Sequence, residues 1–210
     1  MTDTGIFYGT GAAEGVPSPF CDCPMCNYAR EHGGKDVRKR SCFRLGRNIM
    51  IDMGPDIFTQ ALQYGSMCDI EHVLITHTHD DHFNFTALGL MSMATHLRTT
   101  PVHFYFSEEG YRFIELLRDS EIAFGGTLRG MEKKGIYAFH KLKYFETYSI
   151  GEYEVTPIRG NHGGNMAKER SANYVLKAKD GTKMLYGMDT GLYEDCLLYT
   201  SPSPRDRSVS

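Results

Sequence analysis

The strongest constraint on the fold is the run Thr76-His77-Thr78-His79-Asp80-Asp81-His82, which directly follows the apolar stretch His72-Val73-Leu74-Ile75. An apolar run ending in a polar cluster reads as a buried strand that delivers side chains at its carboxyl end, where α/β proteins collect their chemistry. Side chains two apart on an extended chain share a face, so His77 and His79 can grip one ion. From Phe83 onward the pattern turns helical, and Asp81 and His82 then point elsewhere, toward a second ion. Imidazole suits zinc and other first-row divalent metals, whereas carboxylate suits harder ones. The mixed spacing H-x-H-x-D-H therefore indicates a hydrolytic two-metal centre.

Three further positions repeat the strand-end pattern. Asp52 lies in Met50-Ile51-Asp52-Met53-Gly54, His162 in Gly160-Asn161-His162-Gly163-Gly164, and Asp189 in Tyr186-Gly187-Met188-Asp189-Thr190-Gly191. Singly, an aspartate before Gly is a turn residue and a lone histidine is structural. Four strand ends that each deliver a ligand type make a much stronger signal.

Short strands are expected at Ile6–Tyr8, Ser41–Leu45 and Asn48–Asp52, the last two joined by a Gly46-Arg47 turn. Helices are expected from Pro55, over Phe85–Ala94 and behind Ser107-Glu108-Glu109, with a loop or short irregular helix over Glu121–Gly135. More strands are expected at Val102–Phe106, Ile136–Phe145, Tyr153–Ile158, Asn173–Ala178 and Lys183–Gly187. Strand-rich halves with interspersed helices imply an α/β protein with two sheets packed under helices.

The stretch from Cys196 to Asp206 matches the translation of a transposon-end sequencing adapter, and composition shifts there to Ser, Pro and Arg. Residues 196–210 are accordingly read as a non-native tail, and residues 1–195 as one truncated domain. The formal charge of the whole chain is −3, so it has no general pull toward nucleic acid or anionic membrane. No apolar stretch approaches the ~20 residues that span a bilayer, and the polar start Met1-Thr2-Asp3-Thr4 shows no signal peptide. Outside the tail, Cys21, Cys23, Cys26, Cys42 and Cys68 form an odd set with three clustered, which points to thiols in a reducing cytoplasm. Cys42 and Cys68 read as buried thiols. His32, His72, His96, His103 and His140 lack spaced partners and read as surface or packing residues.

With these elements in hand, the chain resembles the metallo-β-lactamase superfamily, on Asp52, the His77-His79-Asp81-His82 motif, His162 and Asp189. The resemblance implies an αββα four-layer sandwich, here incomplete at the C-terminus, with the site along one edge. It implies that His77, His79 and His162 hold one divalent ion (Zn or Mn), that Asp81 and His82 hold another, and that Asp189 bridges both. Asp52 would orient the motif through hydrogen bonds, and Asp81 and Asp189 would position a hydroxide shared by the two ions. The segment Gly9–Pro17 followed by Cys21-Asp22-Cys23-Pro24-Met25-Cys26 is similar to the PhnP-type phosphodiesterases. That similarity implies a structural zinc on Cys21, Cys23 and Cys26. Family members carry two further C-terminal histidines, one for each kind of site, that have no match before Asp195, so the chain as given is expected to be impaired. The resemblance implies a hydrolase of small phosphodiesters such as cyclic nucleotides or cyclic sugar phosphates. The alternatives are a tRNA-end nuclease or a lactone or thioester hydrolase of the same fold, and a non-catalytic metal-binding protein. Nucleic acid is the less favoured partner, no membrane is expected, and a homodimer is left open.

Overall fold

The computed structural model describes residues 4–94, 99–123 and 126–190. The chain opens with β1 (Gly5–Gly9), helix α1 (Pro24–His32) and the hairpin β2 (Cys42–Leu45) and β3 (Ile49–Ile51). Then come α2 (Ile57–Tyr64), β4 (His72–Leu74), α3 (Phe85–Met93), β5 (Val102–Ser107) and α4 (Glu108–Leu117). A small hairpin, β6 (Glu121–Ala123) and β7 (Gly126–Thr127), leads to α5 (Leu128–Lys133) and β8 (Tyr137–Leu142). The last strands are β9 (Tyr148–Ile150), β10 (Tyr153–Arg159), β11 (Ala172–Lys177) and β12 (Lys183–Tyr186).

Two main sheets result. One has six strands in the order β1-β2-β3-β4-β5-β8, and the other has four in the order β12-β11-β10-β9. Strands β3, β4, β5 and β8 run parallel, so their carboxyl ends lie on one side, as crossover helices require. Alternation along each strand sorts the core into two layers. Phe43, Ile49, Ile51 and Leu74 face Val155, Tyr174, Leu176 and Tyr186 between the sheets. Met50, Val73, Phe104 and Phe106 pack on the other face with Phe83, Leu88, Ile114 and Leu128 from the helical side. Three layers of the expected sandwich are thus visible, α, β and β, and no helix covers the four-stranded sheet among the described residues. The tail 196–210 lies outside them.

Local chemistry fixes the helix starts. Asn84 Oδ1 accepts from Thr86 N at 2.9 Å to open α3, and Ser107 Oγ accepts from Gly110 N at 3.1 Å to open α4. Thr127 Oγ1 caps α5 in the same way. Glu121–Gly135 contains the short helix that was one of its two expected forms, capped by Thr127 with Leu128 and Met131 buried, and adds the paired strands β6 and β7, which were not expected. One expectation needs correction. Cys68 is exposed rather than buried, since it lies in the turn between α2 and β4; Cys42 is fully buried, and burial pushes its thiol above the ordinary range.

Candidate metal centre

Four strand ends meet at one edge of the two sheets. At the end of β3, Asp52 takes a left-handed backbone with φ 63°, a conformation Asp tolerates better than most residues. Its side chain is fully buried beneath the ligand loop. There it accepts from Thr76 N at 2.8 Å and Thr76 Oγ1 at 2.9 Å, and lies 2.7 Å from His82 Nδ1. With Nδ1–H donated to Asp52, the other nitrogen of His82 is left facing Asp81 Oδ2 and Asp189 Oδ2, both at 3.2 Å.

The histidines converge from two loops. His77 Nε2 lies 3.0 Å from His79 Nδ1, and His162 Nε2 lies 3.4 Å from the same atom. The ligand atoms of His77, His79 and His162 lie within 4.8 Å of one another, and so do those of His77, His82 and Asp189. Asp189 Oδ2 stands between the two groups, 3.9 Å from His77 Nε2 and 3.8 Å from His162 Nε2. Asp81 meets the second group through His82 and is not itself within that set of three. The floor is dry and the rim is wet: the His77 side chain is 0% exposed, whereas Asp189 is 32% and His162 39% exposed.

Close backbone approach makes this geometry possible. Met53 N donates to His82 O at 2.7 Å, which brings Gly54 onto the ligand loop. A Cβ on Gly54 would sit 2.2 Å from Asp81 O. Behind His162, Gly160 N donates to Ser171 O and Ser171 N to His162 O, while Ser171 Oγ donates to Asp189 O at 3.2 Å.

Burial and neighbouring charges set the protonation of these side chains. Burial, reinforced by the neighbouring imidazoles of His82, His79 and His162, lowers His77 to about 3 and keeps it neutral. Burial opposes a charge on His82, yet Asp52, Asp189 and Asp81 together push it up to about 12. The hydrogen bond from His82 draws Asp189 down to about 2. Burial raises Asp81, but the hydrogen bond and charge of His82 outweigh it, and its carboxyl sits below the ordinary range. One buried imidazolium thus neutralises only part of a three-carboxylate cluster. A divalent cation fits the remainder and can replace the proton on His82 Nε2.

The cysteines form a separate group. Cys23 caps α1, with Pro24 opening the helix, and Cys26 N approaches its Sγ at 3.5 Å. Ser18 N lies 3.4 Å from Cys26 Sγ, and the three sulfurs of Cys21, Cys23 and Cys26 lie within 4.8 Å of one another. Helix α1 was not expected, because the Cys23 that caps it was read only as a metal-ligand candidate. Histidines read as unpaired prove to cluster: His103 Nδ1 lies 2.8 Å from His140 Nε2, and the His72 ring lies tilted beside that of His103, centroids 5.5 Å apart. His96 lies outside the described residues. Thr76, Glu169 and Ser171 are site residues that sequence reasoning missed, the latter two because they sit in a charged stretch without periodicity.

Comparison with known proteins bears on the family and the fold. The profile described as the beta-lactamase superfamily domain matches residues 47–200. A solved diphosphatase of the PhnP family superposes with a TM-score of 0.65 at 22% identity, over 83% of this chain and 62% of that one. Zinc-bound PqqB from Methylobacterium extorquens gives 0.63 at 17% identity, over 86% and 63%. The short form of human tRNase Z gives 0.56 at 21% identity, over 92% and 71%. At these identities the likeness is one of fold, and the chain spans about three-fifths of the length of the first two structures. An octanoyltransferase from Porphyromonas gingivalis is 36% identical over 81 residues, which is 37% of this chain and 16% of that protein.

Proposed function

The chain belongs to the metallo-β-lactamase superfamily, and from that premise we propose that it is a metal-dependent hydrolase acting on phosphodiesters. The carrying observation is the convergence of His77, His79 and His162 with His82, Asp81 and Asp189 on one half-open edge. The first three would hold one divalent ion, Asp81 and His82 a second, and Asp189 would serve both. Nitrogen-rich and carboxylate-rich donor sets suit zinc and manganese respectively. Bound divalent ions supply Lewis acidity and a water of lowered pKa. The chain's own residues do the rest. Asp52 fixes the His82 ring, Asp81 and Asp189 orient the attacking water, and Asp81 accepts its proton. Cys21, Cys23 and Cys26 would hold a structural zinc.

Support for a phosphodiester comes from the PhnP-like cysteine segment and from fold neighbours named as a diphosphatase and a tRNase. The partial match to an octanoyltransferase favours a second reading, hydrolysis of an acyl ester or thioester. Zinc- or manganese-loaded protein should hydrolyse bis(p-nitrophenyl) phosphate and 2′,3′-cyclic nucleotides, at the reduced rate expected of an impaired chain, and leave penicillin-type β-lactams intact. Faster turnover of a lactone or acyl-thioester panel would establish the second reading instead. Metal uptake without turnover of any of these would mark a binding protein.

A further inference from the structure

Glu169 is 1% exposed, and its carboxylate is held by neutral donors. Thr78 N donates to Oε1 at 2.8 Å, Thr78 Oγ1 to Oε2 at 2.6 Å, and Met166 N to Oε2 at 3.0 Å. Thr78 is the residue between His77 and His79. Asn165, three residues after His162, returns to it: its backbone N donates to Thr78 Oγ1 at 3.0 Å and its side chain to Thr78 O. The niche is cut to size. A Cβ on Gly164 would lie 2.1 Å from Glu169 Cδ, and one on Gly110 would lie 3.2 Å from Oε1.

We propose that Glu169 is a positioning residue that sets His162 against His77 and His79 by gripping Thr78. This deepens the metal-centre reading and rests on it. The His77–His79 segment and the His162 loop come from different sheets, and both bend back on Glu169. A buried carboxylate is costly unless fully bonded, and an apolar pair would fill the niche yet leave the N–H groups of Thr78 and Met166 unsatisfied. Because Thr78 Oγ1 accepts from Asn165, its own proton goes to Glu169, so all three partners donate. A glutamine at this position therefore turns its NH2 toward at least one donor, whichever way the amide faces.

The test uses cobalt(II) as the probe, titrated into the metal-free full chain and followed by its d–d absorption, alongside zinc competition with a chelator. Glu169→Gln should weaken binding at the three-histidine group by about 10–100-fold and leave the Asp81/His82/Asp189 group near its wild-type affinity. Thr78→Val should do the same, Thr78→Ser should restore binding, and Glu169→Gln combined with Thr78→Val should cost no more than the larger single loss. The Thr78 pair keeps the proposal testable if Glu169→Gln does not fold. Wild-type cobalt binding in both Glu169→Gln and Thr78→Val, or losses that add and simply track the thermal stability of the metal-free protein, would overturn it. Absence of cobalt binding by the wild type would overturn the metal reading itself and this inference with it.

Discussion

Asp52→Asn probes the buried anchor of the centre. Asparagine keeps the shape and tolerates φ 63°, but it removes the charge that faces His82 and one of the two accepting oxygens. If the amide oxygen stays on Thr76 N, its NH2 faces His82 Nδ1 across the present 2.7 Å contact. Nδ1 must then accept, which leaves the ring's one proton on Nε2, the atom aimed at Asp81 and Asp189. Losing one partner of a buried charged pair costs about 3–5 kcal/mol. Retention of the Thr76 bond places the expected loss near the lower end, ~3 kcal/mol. For a domain of this size that corresponds to a fall in Tm of about 6–12 °C. The wrong tautomer should also weaken metal binding at the Asp81/His82/Asp189 group by about 10–100-fold, and more than at the three-histidine group. Asp52→Ala should be worse by a further ~1–2 kcal/mol, because alanine tolerates the left-handed backbone poorly. Urea unfolding in excess chelator measures the stability term, and competition titration measures the affinity. An unchanged urea midpoint together with equal affinity at both groups would show that Asp52 does not orient His82.

Gly54→Ala forces a Cβ to within 2.2 Å of Asp81 O, so the ligand loop must lift; loss of metal at the Asp81/His82/Asp189 group is expected by elemental analysis, with the three-histidine group less affected. Tyr174→Phe removes the buried hydroxyl that donates to Ile75 O at 2.6 Å and should cost about 1–2 kcal/mol in chemical denaturation. Burial and the charge of His103 hold His72 and His140 below the ordinary histidine value. Below about pH 6.5 the unfolded chain therefore binds more protons than the folded one at these two sites, and stability falls as the pH falls. In metal-free protein, a His72→Asn/His140→Gln variant should show a smaller drop in Tm between pH 7.5 and 5.5 than the wild type; parallel curves would rule the cluster out.

The residues of the candidate centre could be picked out because their chemistry is written locally. The stretch His72 to Ile75 marks a buried strand, and the polar residues directly after it must emerge at a strand end. Asp52, His162 and Asp189 repeat that grammar after β3, β10 and β12. The two-sheet core was legible from alternation, as in Tyr153, Val155 and Pro157 of β10. Most of the features that could not be read depend on contacts between distant segments. Glu169 meets Thr78 across 91 residues, and nothing near it in sequence announces that partner. The cluster of His72, His103 and His140 exists only because β4, β5 and β8 lie side by side. Helix α1 rests on a cysteine cap, a signal that looks identical to a metal ligand in one dimension.

Elemental analysis of metal-loaded protein tests the two-metal centre most directly. Two divalent ions that depend on the histidines and aspartates are expected, with one lost in Asp81→Ala and both lost in Asp189→Ala combined with His77→Ala. A third ion should disappear when Cys21, Cys23 and Cys26 are changed together to serine. A single ion per chain whose binding is indifferent to His77→Ala would contradict the two-metal centre.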